Sequence, residues 1–211
     1  MADRPILFNA EMVRAILDGR KTQTRRPVRP QRRLMQALAG SRWESSDDGG
    51  FDCDVIEHKS PFGQPNDLLY VRETFYVDHF EYPKISDTEA RRLVDYRADH
   101  DCTHWEAGCP CRDDQGRGSW VPSIHMPKRL ARIWLRVGRV WVERVQDIRD
   151  LGAIAEGWDG TKMHDPSGIT TGDQVRVFAA LWDSIYAKQG LGWDDNPWVW
   201  CCEFERVNAN G

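Results

Sequence analysis

Apolar and polar positions along this chain repeat with two periods. Ile6, Leu7 and Phe8 form a short apolar run and predict a strand. Met12, Val13, Ile16 and Leu17 then fall on one face of a helix. Asn9 stands where it can cap that helix, and Gly19 stands where it can end it. Lys21–Arg26 follows as a loop or edge strand, and Pro27 and Pro30 stop regular structure. Ser45–Gly50 is polar and Gly-rich and reads as a loop. Pro65–Asp67 predicts a turn and Leu68–Tyr76 a strand. A short helical pattern covers Asp87–Asp95, and Trp120–Pro127 is extended between prolines. Ala131–Val145 predicts two strands around Gly138, because Ile133, Leu135 and Val137 alternate with polar residues. Asp147–Glu156 reads as a short helix ended by Gly157. Asp173–Tyr186 reads as an amphipathic helix with Val177, Ala180, Leu181 and Ile185 on one face. Trp198–Phe204 is the last strand.

Many short strands with a few helices between them predict the α+β class, arranged as a small β-barrel with flanking helices. Residues 31–62 and 77–119 read as insertions into a single domain over 1–211.

Composition narrows the picture without overturning it. A chain of 211 residues, 40% apolar and 29% charged, can bury a sizeable core. No apolar run reaches the roughly 18–20 residues of a membrane span, so no membrane partner is expected. Met1–Asn9 lacks the apolar core of a signal peptide, which makes the cytoplasm the expected location. Six cysteines are too few for a disulfide scaffold at this length. Ten tryptophans serve either core packing or stacking on bases.

Charge changes the picture more. The net charge is -4, yet Arg20–Arg33 holds seven Lys or Arg and no acid. Such a patch draws a phosphate-bearing partner or a nucleotide. It also sets Lys21 among other cations, a setting that lowers a lysine pKa and favours the free amine.

Four blocks carry a family resemblance: PILFNAEMVRAILDGRKTQTRR over 5–26, GQPNDLLYVRETF over 63–75, PSIHMPK over 122–128 and WDDNPWVW over 193–200. With these the chain resembles the ASCH family, which has a PUA-like β-barrel fold, and looks most like its longer phage and prophage members. The family is read as RNA- or nucleotide-binding. Its small bacterial members include N4-acetylcytidine amidohydrolases, which use a lysine and a threonine from G-x-K-x-x-T and a glutamate from the next strand. The resemblance therefore implies a catalytic set of Lys21, Thr24 and Glu73 with no catalytic cofactor. The insertions lie outside the pattern of the small enzymes.

Amide hydrolysis needs a nucleophile, a base, a stabilised oxyanion and a proton for the leaving amine. Thr24 can offer the hydroxyl, Lys21 can take its proton, and Glu73 can orient Lys21 or shuttle a proton. A glutamate beside Lys21 raises the lysine pKa while burial and cations lower it, and the sequence leaves that contest open. Arg20, Arg25 and Arg26 can hold an oxyanion or a phosphate. In the bland alternative Thr24 is a surface residue, Lys21 a phosphate contact and Glu73 its ion-pair partner.

Three further groups stand out. Cys102, His104, Cys109 and Cys111 lie within ten residues and match a Cys3His structural zinc site, with Cys53 and His58 as substitute ligands; the alternative is free thiols in an insertion. The same stretch fails the zinc-deaminase pattern, because its spacing is too short. His125, held between prolines, is either a pocket-lining residue or a packed polar one. Trp193 is the better stacking candidate near Asn196-Pro197, whereas Trp198 and Trp200 share a strand face directed to the core.

Three functions follow as expectations. The first is an amidohydrolase of an N4-acylated cytosine, as nucleoside or in nucleic acid. The second is a non-catalytic module that binds RNA or modified DNA through a basic cleft. The third is a nuclease.

Overall fold

The computed structural model describes residues 2–29, 31, 60–77, 94–100, 120–157 and 174–208. The chain divides into two compact units, each gathered from separate stretches. The first contains Met1–Asp18, Asp67–Arg136 and Arg206–Gly211; the second contains Gly19–Asn66 and Val137–Glu205.

The first unit opens with β1 (Asp3–Leu7), which runs straight into α1 (Ala10–Leu17). Asn9 stays extended and its side-chain oxygen accepts from the Met12 amide at 2.9 Å, so the predicted cap is made. Val13, Ala15 and Ile16 are the buried stripe of α1. β1 pairs in parallel with β3 (Leu68–Arg72), Ile6 opposite Val71. A parallel pair cannot be closed by a tight hairpin, and the whole stretch from residue 8 to 67 makes the connection.

The predicted strand over Leu68–Tyr76 is two strands. β3 stops at Arg72, Glu73 and Thr74 leave the ladder, and β4 (Phe75–Val77) starts afresh. β4 pairs antiparallel with β5 (Val94–Tyr96). Val94 and Asp95 are therefore extended, against the helical pattern read over Asp87–Asp95; the pairing with β4 overrides a weak local period. The rest of that pattern lies outside the described residues, as do Ser45–Gly50 and most of both insertions. Phe75, Val94, Tyr96, Met126, Leu130 and Ala131 form the core behind this hairpin.

The predicted pair of strands over Ala131–Val145 is one long strand, β6 (Trp134–Arg144). Gly138 does not break it. A Cβ there would lie 3.3 Å from the Glu203 carbonyl oxygen, so the glycine permits close approach rather than a turn. The start of β6 pairs antiparallel with β3, Leu69 opposite Leu135.

In the second unit β6 lies beside β7 (Trp198–Val207), which pairs antiparallel with β2 (Gln23–Pro27). Lys21–Arg26 thus does enter an edge strand, and Pro27 closes it. Two helices pack here, α2 (Asp150–Ala155) and α3 (Gln174–Tyr186). The apolar face of α3 differs from its prediction. Val177, Phe178 and Trp182 are buried, whereas Ala180 and Ile185 are exposed. Large aromatic side chains bury more area than alanine or isoleucine and set the rotation of the helix. Trp141, Val145, Ile148, Ala153, Phe178, Trp182, Val199 and Cys201 form the core of this unit. Each fully buried aliphatic side chain contributes about 1.5–3 kcal/mol.

The hydrogen-bonded order of the five strands is β1-β3-β6-β7-β2, and β4 and β5 form a separate two-stranded sheet. The α+β class is as predicted. Among the described residues the five strands form an open sheet with β1 and β2 as its edges. Among the described residues, too, no helix is long and apolar enough to cross a membrane.

Candidate functional site

The basic run is not a solvated surface. Lys21 and Arg25 are buried, at 2% and 4% exposure, and both make ion pairs within the second unit. Lys21 Nζ donates to Glu156 Oε2 at 2.6 Å, to the Glu156 carbonyl at 2.9 Å and to the Gln23 carbonyl at 2.8 Å. Arg25 donates to Glu143 Oε1 at 2.8 Å and to Glu156 Oε1 at 3.1 Å. Glu143 in turn accepts from Trp141 Nε1 at 2.7 Å. Two cations and two carboxylates therefore lock β2, β6 and the end of α2 together. Arg20 donates to the Gly157 carbonyl and Arg26 to the Arg25 carbonyl. Arg32 and Arg33 lie outside the described residues.

The contest over the Lys21 proton has a direction here. Burial lowers the lysine pKa below its ordinary value, and the charge and hydrogen bond of Glu156 offset this only in part. Arg26 and Arg25 lower it further. Burial acts the other way on the thiols of β7, raising Cys201 well above its ordinary value and Cys202 to about 12. Both cysteines are free and unreactive in that state.

Thr24 is fully buried on β2, opposite Cys202. Among the described residues its Oγ1 has no hydrogen-bond partner. Successive strand residues face opposite sides, so Thr24 and Arg26 share one face of β2 and Gln23 and Arg25 the other.

Glu73 belongs to the first unit. It sits in the break between β3 and β4, is 1% exposed, and is gripped by Arg132 through Nε at 2.9 Å and Nη2 at 3.0 Å. Its amide donates to Met126 Sδ. Arg132 also bridges to Asp99 and lies 3.9 Å over the Tyr96 ring. Burial raises the Glu73 pKa, and Arg132 pulls it back only in part. Burial also works against the Arg132 charge, but Glu73 and Asp99 outweigh it and hold the guanidinium charged.

His125 ends a 3-10 turn, Ser123–His125, and is exposed. Trp193 packs edge-on to Phe178 in the second-unit core, ring centres 6.2 Å apart. Trp200 is buried and Trp198 half-buried. Cys102, His104, Cys109, Cys111, Cys53 and His58 lie outside the described residues. Among the described residues no group of three or more His, Cys, Asp or Glu is placed to hold a metal.

Sequence reasoning missed Glu143, Glu156, Arg132 and Asp99 as partners. Two of them left a trace. Glu143 interrupts the apolar alternation two residues after Trp141, and Arg132 stands between buried Ala131 and Ile133. A charge inside an apolar pattern signals a buried partner. Which partner it has was not readable.

No family model matches the sequence, and no curated protein matches it. A crystal structure similar to this chain is that of an Enterococcus faecalis protein given under the family model DUF984. It is 10% identical, covers 99% of this chain and 82% of its own, and has a TM-score of 0.41. A likeness at that level assigns neither a fold nor a function.

Proposed function

We propose that the protein is an amidohydrolase that removes an acyl group from an N4-acylated cytosine, as nucleoside or within a nucleic acid. The Lys21 amine carries this reading. It is buried, oriented by three hydrogen bonds, and holds its proton less tightly than an ordinary lysine. An amine whose pKa is lowered gives up its proton more readily than an ordinary lysine, and so is better suited to act as a base. The resemblance to the ASCH family supplies the other roles and the PUA-like barrel that goes with them. In that scheme Thr24 attacks the amide carbon as Lys21 takes its proton. The scheme requires the Thr24 hydroxyl to reach the amine from the face of β2 opposite Arg25, which shares the Glu156 carboxylate with Lys21. The cytosine amine leaves with a proton, and water then frees the acid from the threonine ester. For Glu73 the resemblance assigns the proton-carrying role, and burial within the first unit raises its pKa. The unpartnered Thr24 hydroxyl supports its role, because no hydrogen bond among the described residues commits it elsewhere.

A second reading has its own observation. Lys21 and Arg25 are tied to Glu156 and Glu143 as a clamp would be. That favours a structural role for these two cations in a non-catalytic module. Such a module would meet RNA or modified DNA through other groups, because Lys21 and Arg25 already face carboxylates.

A hydrolysis assay with N4-acetylcytidine and its deoxy form separates the two. The enzyme reading expects turnover by the wild type and none by Lys21→Arg or Thr24→Ala, since arginine cannot give up its proton. The binding reading expects no turnover by any of them, and unchanged nucleic-acid affinity in Thr24→Ala. Full activity in Lys21→Arg rules out a lysine base.

A further inference from the structure

Glu156 meets Lys21 through both side chain and main chain. Its Oε2 and its carbonyl oxygen each accept from Nζ, and the two residues form an isolated antiparallel bridge. The Thr22 amide donates to the Ala155 carbonyl at 2.8 Å, which fixes the same crossing from the next residues. Backbone pairing, rather than two long free side chains, therefore sets the distance between carboxylate and amine. Glu156 is also anchored at the end of α2, where its amide donates to the Gly152 carbonyl at 3.1 Å. Gly157, at φ +91°, then turns the chain away in a conformation that suits glycine. The second carboxylate oxygen is held by Arg25, itself held by Glu143. Both oxygens are engaged, so the carboxylate cannot rotate away from Nζ without breaking an ion pair.

We propose that Glu156 is the positioning residue of the Lys21 amine, fixing where Nζ points and how firmly it holds its proton. This deepens the reading in which Lys21 is the base. The resemblance gives the carboxylate role to Glu73, whose cation is Arg132; Glu156 is a different carboxylate on a different element.

The charged and titratable groups around Lys21 come from every neighbouring element. β2 supplies Arg25 and Arg26, the end of α2 supplies Glu156, β6 supplies Glu143 behind Arg25, and β7 supplies Cys201 behind Arg25 and Cys202 behind Glu156. The two thiols stay protonated until strongly alkaline pH. Arg25 and Arg26 act in the same direction as burial. Glu156 is the group that opposes burial at Nζ. Replacing its charge by an amide leaves burial and two arginines unopposed, and the amine then loses its proton at lower pH.

The test reads the amine itself. The chain has six lysines, so protein labelled with carbon-13 at lysine Cε gives few signals, and Lys21→Arg identifies the one to follow. In Glu156→Gln the Lys21 midpoint should move to lower pH than in the wild type. In Glu156→Asp, which keeps the charge on a shorter arm, it should lie between the two. An unchanged midpoint in Glu156→Gln overturns the proposal. If that variant does not fold, the wild type decides: labelled Glu156 Cδ must show a step at the Lys21 midpoint, and its absence overturns the proposal. This readout needs no substrate. A shifted midpoint in a protein that hydrolyses nothing supports the role of Glu156 while removing the reading of Lys21 as a base. Where hydrolysis is found, Glu156→Gln should lower kcat by about 100-fold, with little change in KM, and move the acid limb of the kcat profile to lower pH. Activity within twofold of wild type and an unmoved limb count against it.

Discussion

Arg132 grips Glu73 with two parallel hydrogen bonds, from Nε at 2.9 Å and from Nη2 at 3.0 Å. The carboxylate is 1% exposed and the guanidinium side chain 25%. Removing the arginine leaves a buried charge with no countercharge, a loss of about 3 kcal/mol. Arg132→Ala should therefore unfold at clearly lower urea, whereas Arg132→Ala combined with Glu73→Gln should recover part of the loss. Equal midpoints for the single and the double variant would mean the pair is not coupled.

The same glutamate predicts a pH dependence of stability. Its folded pKa lies above the ordinary 4.5, because burial outweighs the arginine. A group raised in this way contributes stability that is fully present below 4.5 and is lost as pH rises through the folded pKa. Glu73→Gln lacks that contribution at every pH. As pH rises above 4.5, the wild type should lose stability relative to Glu73→Gln. Urea midpoints of both proteins at several pH values check this. The opposite slope would show that Arg132 wins over burial.

Thr24 offers a test in which stability and chemistry part company. Its buried hydroxyl has no hydrogen-bond partner among the described residues. Valine has nearly the same shape without the polar atom, so Thr24→Val should match or exceed wild-type stability by about 1 kcal/mol. If Thr24 is the nucleophile, the same variant should hydrolyse no acylated cytosine. A thermal melt and the hydrolysis assay on one preparation give both answers. Marked destabilisation would mean that the hydroxyl has a partner after all.

Gly138 is held to its size by a backbone atom. A Cβ would stand 3.3 Å from the Glu203 carbonyl oxygen, so the main chain of β7 would have to give by a few tenths of an ångström. Gly138→Val should cost about 2 kcal/mol through overpacking, although valine favours strands. Wild-type stability in that variant would show that β6 and β7 can separate locally.

Local order was legible wherever it depended on neighbours in sequence. The Asn9 cap, the apolar stripe of Val13 and Ile16, the end of β2 at Pro27 and the helix over 174–186 all follow from spacing, capping and proline, which act within a few residues. Where a remote segment decided the outcome, the sequence misled. Val94 and Asp95 are strand because β4 lies beside them, and Gly138 continues a strand because β7 passes close. The rotation of α3 follows Phe178 and Trp182 into their core. The candidate site divides in the same way. That Lys21 lies among cations is written in the run from Arg20 to Arg26. That its amine is buried, and that its carboxylate is Glu156 rather than a residue nearby in sequence, was decided by the bridge joining residue 21 to residue 156. Charge pairing depends on which groups the folded backbone brings within about 3 Å, and a pair 135 positions apart leaves no local period to read.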